Sequence, residues 1–172
     1  IVGAELRQKA ILLTVLGLLF QLVYIAWRFK GGVWGAGATI AALHDVLVCL
    51  AFLAFFDFEI TLNVIAALLT LVGYSVNDTI VIYDRIRENM ARMRDTSMRD
   101  LINISTSQTL SRTIITSLTA ELSVAAYFFW GTPAIQDIAF ALIIGFIAGT
   151  YSSVYIAAPL TEWMDRRFFR KA

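Results

Sequence analysis

Five apolar stretches, at about 8–27, 34–56, 60–82, 108–130 and 137–161, take up most of a chain of 172 residues. Each is close to the roughly 20 residues a helix needs to cross the hydrocarbon core of a bilayer. The remainder allows short connections and leaves no room for a separate soluble core. Composition agrees, with 59% hydrophobic and 16% charged residues, against about 45–50% and about 25% in a soluble domain. The reading is an all-α polytopic membrane helix bundle of five transmembrane spans.

Charge placement orients the spans. Arg28 and Lys30 lie between the first two stretches, Arg85, Arg87, Arg92, Arg94 and Arg99 between the third and fourth, and Arg166, Arg167, Arg170 and Lys171 after the fifth. The connections near Asp57-Phe58-Glu59 and Gly131-Thr132-Pro133 hold no Lys or Arg. Basic connections stay cytoplasmic. The expected topology therefore has the N-terminus outside and the C-terminus inside, with Arg7 and Lys9 mildly against it. The connection 85–107 is expected on the cytoplasmic side. Within it, Ser97-Met98-Arg99-Asp100 has a capping-box pattern, and Met98, Leu101, Ile102 and Ile104 suit either a short amphipathic surface helix or an ordinary solvated connector.

The chain begins IVGAELRQKA, with neither an initiator Met nor a signal peptide, so it is expected to be a piece of a longer protein. Its single cysteine, Cys49, forms no intrachain disulfide and reads as a small buried hydrophobe. Gly145, Gly149 and Ser153 repeat at helical spacing, a stripe that lets helices approach closely. Pro159 is expected to kink or end the last helix.

Five ionisable residues fall inside the stretches: His44, Asp45, Asp78, Arg112 and Glu121. A central charge costs about 2.5–3.5 kcal/mol to insert, so such residues face a bundle interior or water and pair with something. Counting about 1.5 Å per residue from the ends of their stretches places Asp78 and Arg112 at similar depth, in the inner half. Two readings stand. Either the pair is static and fixes helix packing, or Asp78 gains and loses a proton as Arg112 moves, since burial and a nearby guanidinium set its charge state. Asn77 and Thr79 flank Asp78. Thr113, Thr116, Ser117 and Thr119 follow Arg112, and the face holding Arg112, Thr116 and Thr119 offers hydroxyls for a proton chain. His44 and Asp45 suit a structural hydrogen bond or a relay, although neighbours in a helix point to different faces. Glu121 has no evident partner in the sequence.

Enzymatic chemistry is not expected. One His and one Cys cannot build a His/Cys metal cluster, and there is no phosphate-binding glycine loop. Tyr83-Asp84 lacks the second carboxylate motif of an intramembrane aspartyl protease, and His44 has no nucleophilic serine context.

The stretch GYSVNDTIVIYDRIREN, Gly73 to Asn89, resembles the signature of the SecD/SecF protein-export family, within the resistance–nodulation–division superfamily. VGAELRQKA at 2–10, ALHD at 42–45, TSQTLSRTIITS at 106–117 and GTYSSVYIAAPL at 149–160 agree with it. The resemblance covers nearly the whole chain. It implies spans two to six of a six-span SecF-type half, without the first span and the periplasmic domain, from a separate subunit or a SecDF fusion. It implies a bacterial inner-membrane protein that uses the proton-motive force to assist Sec-dependent export. The implied partners are SecD, SecYEG, SecA, a YajC-type accessory and the translocating unfolded polypeptide, with the lipid bilayer around them and no nucleic acid. The coupling ion is the proton and no cofactor is implied. Residue by residue, Asp78 matches the proton-carrying carboxylate and Arg112 its charge partner. Asn77, Thr79, Thr113, Thr116, Ser117, Asp45 and His44 would support them. Leu50-Ala51 and Gly131-Thr132 depart from glycine positions common in the family. The rival expectations are a passive translocon scaffold and a proton-driven small-molecule exporter.

Overall fold

A computed structural model describes residues 3–169; the side chains of residues 4–7, 10, 11, 168 and 169 lie outside the description, and with them Arg7, while Arg170 and Lys171 fall beyond it. The described residues are all-helical apart from short connections. The helices are α1 (Ala4–Arg28), α2 (Gly32–Phe55), α3 (Leu62–Arg92), α4 (Met98–Trp130), α5 (Pro133–Ser152) and α6 (Ala158–Met164). A π-helical turn, Ser153–Ala157, joins α5 to α6 without a break, and a second, Asp165–Phe169, follows α6. Among the described residues, α2, α3, α4 and the run from α5 through α6 are long and apolar enough to cross a membrane, and α1 contributes a shorter apolar helix, Leu12–Arg28. The chain is a polytopic membrane bundle.

Local chemistry sets where the helices start and stop. Thr61 caps α3 by accepting from the Val64 amide. Ser97 caps α4 by accepting from the Asp100 amide, and its hydroxyl donates to the Asp100 carboxylate at 2.6 Å, an N-cap in which the third-position side chain meets the capping hydroxyl. Pro133 opens α5, where its missing N–H costs nothing. Lys30 and Asp57 take positive φ just after α1 and α2. The chain then closes each helix end with a wide turn, Gly31 N–H to Ala26 O and Phe58 N–H to Leu53 O, the Schellman pattern.

The helices α3 and α5 form the centre, with α2 and α4 on either side and α1 against α2. The small-residue stripe makes this closeness possible. A Cβ on Gly145 would lie 2.6 Å from the Leu71 side chain, and one on Gly149 would lie 3.2 Å from the Ser75 Cβ. Large apolar side chains on α1 and α4, among them Phe20, Trp27, Ile115 and Leu122, stay exposed, as a surface meeting lipid or another membrane helix requires.

Two expectations change. The connection expected over 85–107, with or without its own short helix, shrinks to Met93–Ser97, because α3 and α4 extend well past their apolar stretches. At about 1.5 Å per residue these helices reach roughly 45–50 Å, longer than a hydrocarbon core of about 30 Å. Met98 and Ile102 do not lie on a surface; they are buried in one cluster with Ile86. Polar contacts brace the extensions: Arg85 Nε donates to Gln108 Oε1 at 2.7 Å, and Asn89 Nδ2 donates to Ser105 Oγ at 2.8 Å and Gln108 Oε1 at 3.0 Å. Of the two outcomes expected of Pro159, a kink or an end, the last helix does not end there. Pro159 sits in the first turn of α6, where its ring would press on the carbonyl four residues back, and the π turn immediately before it widens the backbone there.

Candidate functional site

Two buried carboxylates flank the α3–α5 seam. Asp78 on α3 is 3% exposed. Its Oδ2 accepts from Ser117 Oγ on α4 at 3.3 Å, and Thr150 Oγ1 on α5 lies 2.7 Å from the same Ser117 oxygen. Three helices thus meet at one carboxyl group through two hydroxyls. A hydroxyl both donates and accepts, so Ser117 can serve this group with or without its proton. One turn before Ser117, Thr113 is buried, and its Oγ1 has no hydrogen-bond partner.

Asp45 on α2 is fully buried. Its Oδ2 accepts from Ser75 Oγ on α3 and from Ser152 Oγ on α5 at 2.7 Å. Its Oδ1 lies 3.1 Å from Nδ1 of His44, whose side chain is 38% exposed. The two neighbours do meet, as the hydrogen bond expected at His44-Asp45 requires, although adjacent helix positions point to different faces. Ser75, Thr79 and Tyr83 continue this seam along α3 at intervals of four residues. Thr79 Oγ1 lies 3.0 Å from Ser153 Oγ, Ser153 Oγ also donates to Ser75 O at 3.3 Å, and Tyr83 OH lies 2.7 Å from Thr161 Oγ1. Gly37 on α2 closes over that last pair: a Cβ there would fall 2.8 Å from Tyr83 OH and closer still to Thr161 Oγ1.

The sequence-predicted residues separate into those the fold gathers and those it does not. Asp45, His44, Asp78, Thr79, Thr113 and Ser117 line the two sites or neighbour them. Arg112 is exposed on α4 and forms no ion pair within 4 Å with Asp78 among the described residues. The direct Asp78–Arg112 pair expected at the sequence level is absent, because the face of α4 turned inward is Ser105, Thr109, Thr113 and Ser117. Thr116 and Thr119 are exposed and bond back to their own helix at Arg112 O and Ile115 O. The Thr116 and Thr119 hydroxyls therefore make no bond to Asp78. Asn77 is exposed as well. Glu121 is partly buried and lines an open groove with Ser117 and Thr150. Cys49 is a buried thiol that donates to Ala141 O at 3.3 Å. Sequence reasoning missed Ser75, Thr150, Ser152 and Thr161. The signal for Ser75 was its four-residue spacing to Thr79 on α3, and for Thr150 and Ser152 their place beside Gly149 and Ser153 of the small-residue stripe; Thr161 gave none.

Comparison with known proteins places this arrangement. Residues 1–167 match the family model of the protein export membrane protein SecD/SecF, C-terminal. The chain is 43% identical over 170 residues to the protein translocase subunit SecF of Koribacter versatilis, covering 96% of this chain and 42% of that protein. It is 41% identical over 172 residues to the protein translocase subunit SecDF of Thermus thermophilus, covering 99% of this chain and 23% of that protein. The crystal structure of SecDF from that organism superposes with a TM-score of 0.90 at 41% identity, over 95% of this chain and 22% of the SecDF chain. A crystal structure of SecDF in a super-membrane-facing form gives a TM-score of 0.89 at 42% identity, over 96% of this chain. The chain spans less than half the length of these relatives. On the match over nearly its full length, the chain belongs to the SecD/SecF family of protein export membrane proteins.

Proposed function

We propose that this chain is the membrane part of a SecF-type subunit, separate or within a SecDF fusion, that couples proton movement to Sec-dependent protein export. The observation that carries the reading is Asp78: a buried carboxyl group inside a membrane helix, held by hydroxyls from α4 and α5 and touched by no cation among the described residues. A fixed ion pair would commit such a group to one charge state. A hydroxyl shell supports either. Arg112, five residues before Ser117 on the same helix, acts as a charge that α4 movement brings toward Asp78 or takes away. Protonation of Asp78 then shifts α4 against α3 and α5.

The energetic scale is sufficient. One charge moving across 100 mV gains about 2.3 kcal/mol, and one or a few protons per cycle bias a conformational equilibrium of a few kcal/mol. In this reading no covalent chemistry and no cofactor take part. The partners are SecD, SecYEG, SecA, a YajC-type accessory and the unfolded polypeptide. The location is the bacterial inner membrane, with the start of this chain outside and its end in the cytoplasm, as the basic connections favour.

A passive scaffold is the second reading, and the Asp45 cluster favours it, because Asp45 joins α2, α3 and α5 through fixed hydrogen bonds. Charge-neutral replacement separates the two. In sealed inverted vesicles carrying the full complex, assembled Asp78→Asn loses gradient-dependent export under the proton reading and retains it under the scaffold reading.

A further inference from the structure

At the end of the bundle where basic residues gather, the first turns of α4, the helix α6 and the turn after it line a half-open recess of about 340 Å³. Arg99 and Asn103 of α4 form one wall, and Glu162, Trp163 and Arg166 of the α6 segment form the other. Ile102 and Pro159 also line it. Arg166 meets Glu162 through Nε at 3.2 Å, and a guanidinium has four further N–H donors. With Arg99 opposite, the lining carries two guanidinium groups against one carboxylate.

The cavity has a continuation. Farther along the same two helix faces, α4 and α5 leave an open groove of about 430 Å³, lined by Leu110, Ile114, Leu118, Ile147 and Val154, with Tyr151 and Tyr155 stacked at its side. The spacing sets the two recesses one after the other along the same pair of helices. On α4, Arg99, Asn103, Leu110, Ile114 and Leu118 follow one another at four- and seven-residue steps, which keep each residue close to the face of the one before it. On the returning helix, Pro159, Tyr155, Tyr151 and Ile147 do the same. The path is cationic at the end nearest the membrane surface and mostly apolar farther in, with Ser117, Glu121 and Thr150 the polar members of the groove lining. That polarity matches an amphiphile with one anionic head and one hydrocarbon chain.

We propose that this path holds an anionic phospholipid, with its phosphate at Arg99, Asn103 and Arg166 and one acyl chain along the α4–α5 groove. Basic recesses between membrane helices recognise such headgroups by charge, and a bidentate guanidinium suits a phosphate better than a lone ammonium does. The inner end of the groove includes Ser117 and Thr150, so an acyl chain there would pack beside the hydroxyls that hold Asp78. The proposal needs only membrane embedding and is independent of the export reading.

The test is native mass spectrometry of the full-length protein with the subunits that co-purify, after exchange into detergent containing phosphatidylglycerol, phosphatidylcholine, or water-soluble glycerophosphate. The wild type is expected to retain phosphatidylglycerol over phosphatidylcholine. Arg99→Gln with Arg166→Gln lowers that retention by about an order of magnitude or more, given about 1 kcal/mol per surface cation. Ile114→Trp, which fills the groove and leaves the charges in place, also lowers it. Equal retention of the two lipids, or unchanged retention in the double variant, overturns the proposal. So does full displacement by glycerophosphate, which assigns the cavity to a free phosphate ligand. Loss of a subunit in Ile114→Trp without lipid loss assigns the groove to a protein helix and overturns it equally.

Discussion

Ser117 donates to Asp78 across 3.3 Å, from α4 to α3, and Thr150 of α5 lies within 2.7 Å of the same hydroxyl. This relay through one oxygen makes the position of α4 depend on what Asp78 requires of its neighbour. Ser117→Ala removes the link and leaves Asp78 facing a methyl group. A buried acceptor left unsatisfied costs about 1–3 kcal/mol. The expected outcome is an assembled complex whose gradient-dependent export falls several-fold, measured in inverted vesicles, with Ser117→Thr restoring most of it.

The Asp45 cluster predicts a different pattern. Asp45→Ala strands the Ser75 hydroxyl and part of the bonding of Ser152, while Asp45→Asn keeps a carbonyl oxygen for both. Thermal unfolding of the purified protein in detergent should show Asp45→Ala destabilised by about 1–3 kcal/mol and Asp45→Asn by clearly less. Equal effects of the two substitutions would mean that the acceptor role of Asp45 is not what holds α2, α3 and α5 together.

Glycines offer a matched pair. A Cβ on Gly35 would lie 2.6 Å from the Leu22 carbonyl oxygen, a backbone atom of α1, whereas a Cβ on Gly73 meets nothing within 4 Å. Gly35→Ala therefore forces α1 away from α2, at about 1–3 kcal/mol for an overpacked contact. Gly73→Ala is expected to be neutral within this chain or to stabilise by up to about 1 kcal/mol, the helix preference of Ala over Gly. Melting temperatures of the two variants should move in different directions or by clearly different amounts.

Gln108 accepts from both Arg85 and Asn89 and so joins the ends of α3 and α4 outside their apolar stretches. Gln108→Ala leaves Asn89 its bond to Ser105 and frees Arg85 to its ion pair with Glu88. The expected loss is local. Backbone amides in Arg85–Arg92 and Met98–Ser105 should exchange hydrogen faster, while α2 and α5 stay protected.

Much of this was legible in the residues. The apolar stretches, the cap at Ser97 and the close-packing stripe through Gly145 and Gly149 are local properties, and the fold keeps them. The lengths of α3 and α4 were hidden, because polar residues such as Arg85, Asn89 and Gln108 look like a connection until they are seen bonding to one another. The facing of α4 was hidden for a related reason. Arg112 drew attention as the charged residue, yet a helix lacking a strongly apolar face gives little sign of which side turns inward. The i, i+4 run of Ser105, Thr109, Thr113 and Ser117 was the better guide, since small hydroxyl residues permit the close approach that bulky ones prevent. Ser152 and Thr150 lie far from Asp45 and Asp78 along the chain, and only the return of α5 through the bundle centre brings them near.

The central claim is that Asp78 couples a proton to export. The direct measurement is export driven by a proton gradient in sealed inverted vesicles carrying the full complex, with Asp78→Asn compared with wild type at equal assembly. The account predicts that the variant keeps gradient-independent export and loses the gradient-dependent part. Undiminished gradient dependence in the assembled variant would contradict it and leave Asp78 a packing residue.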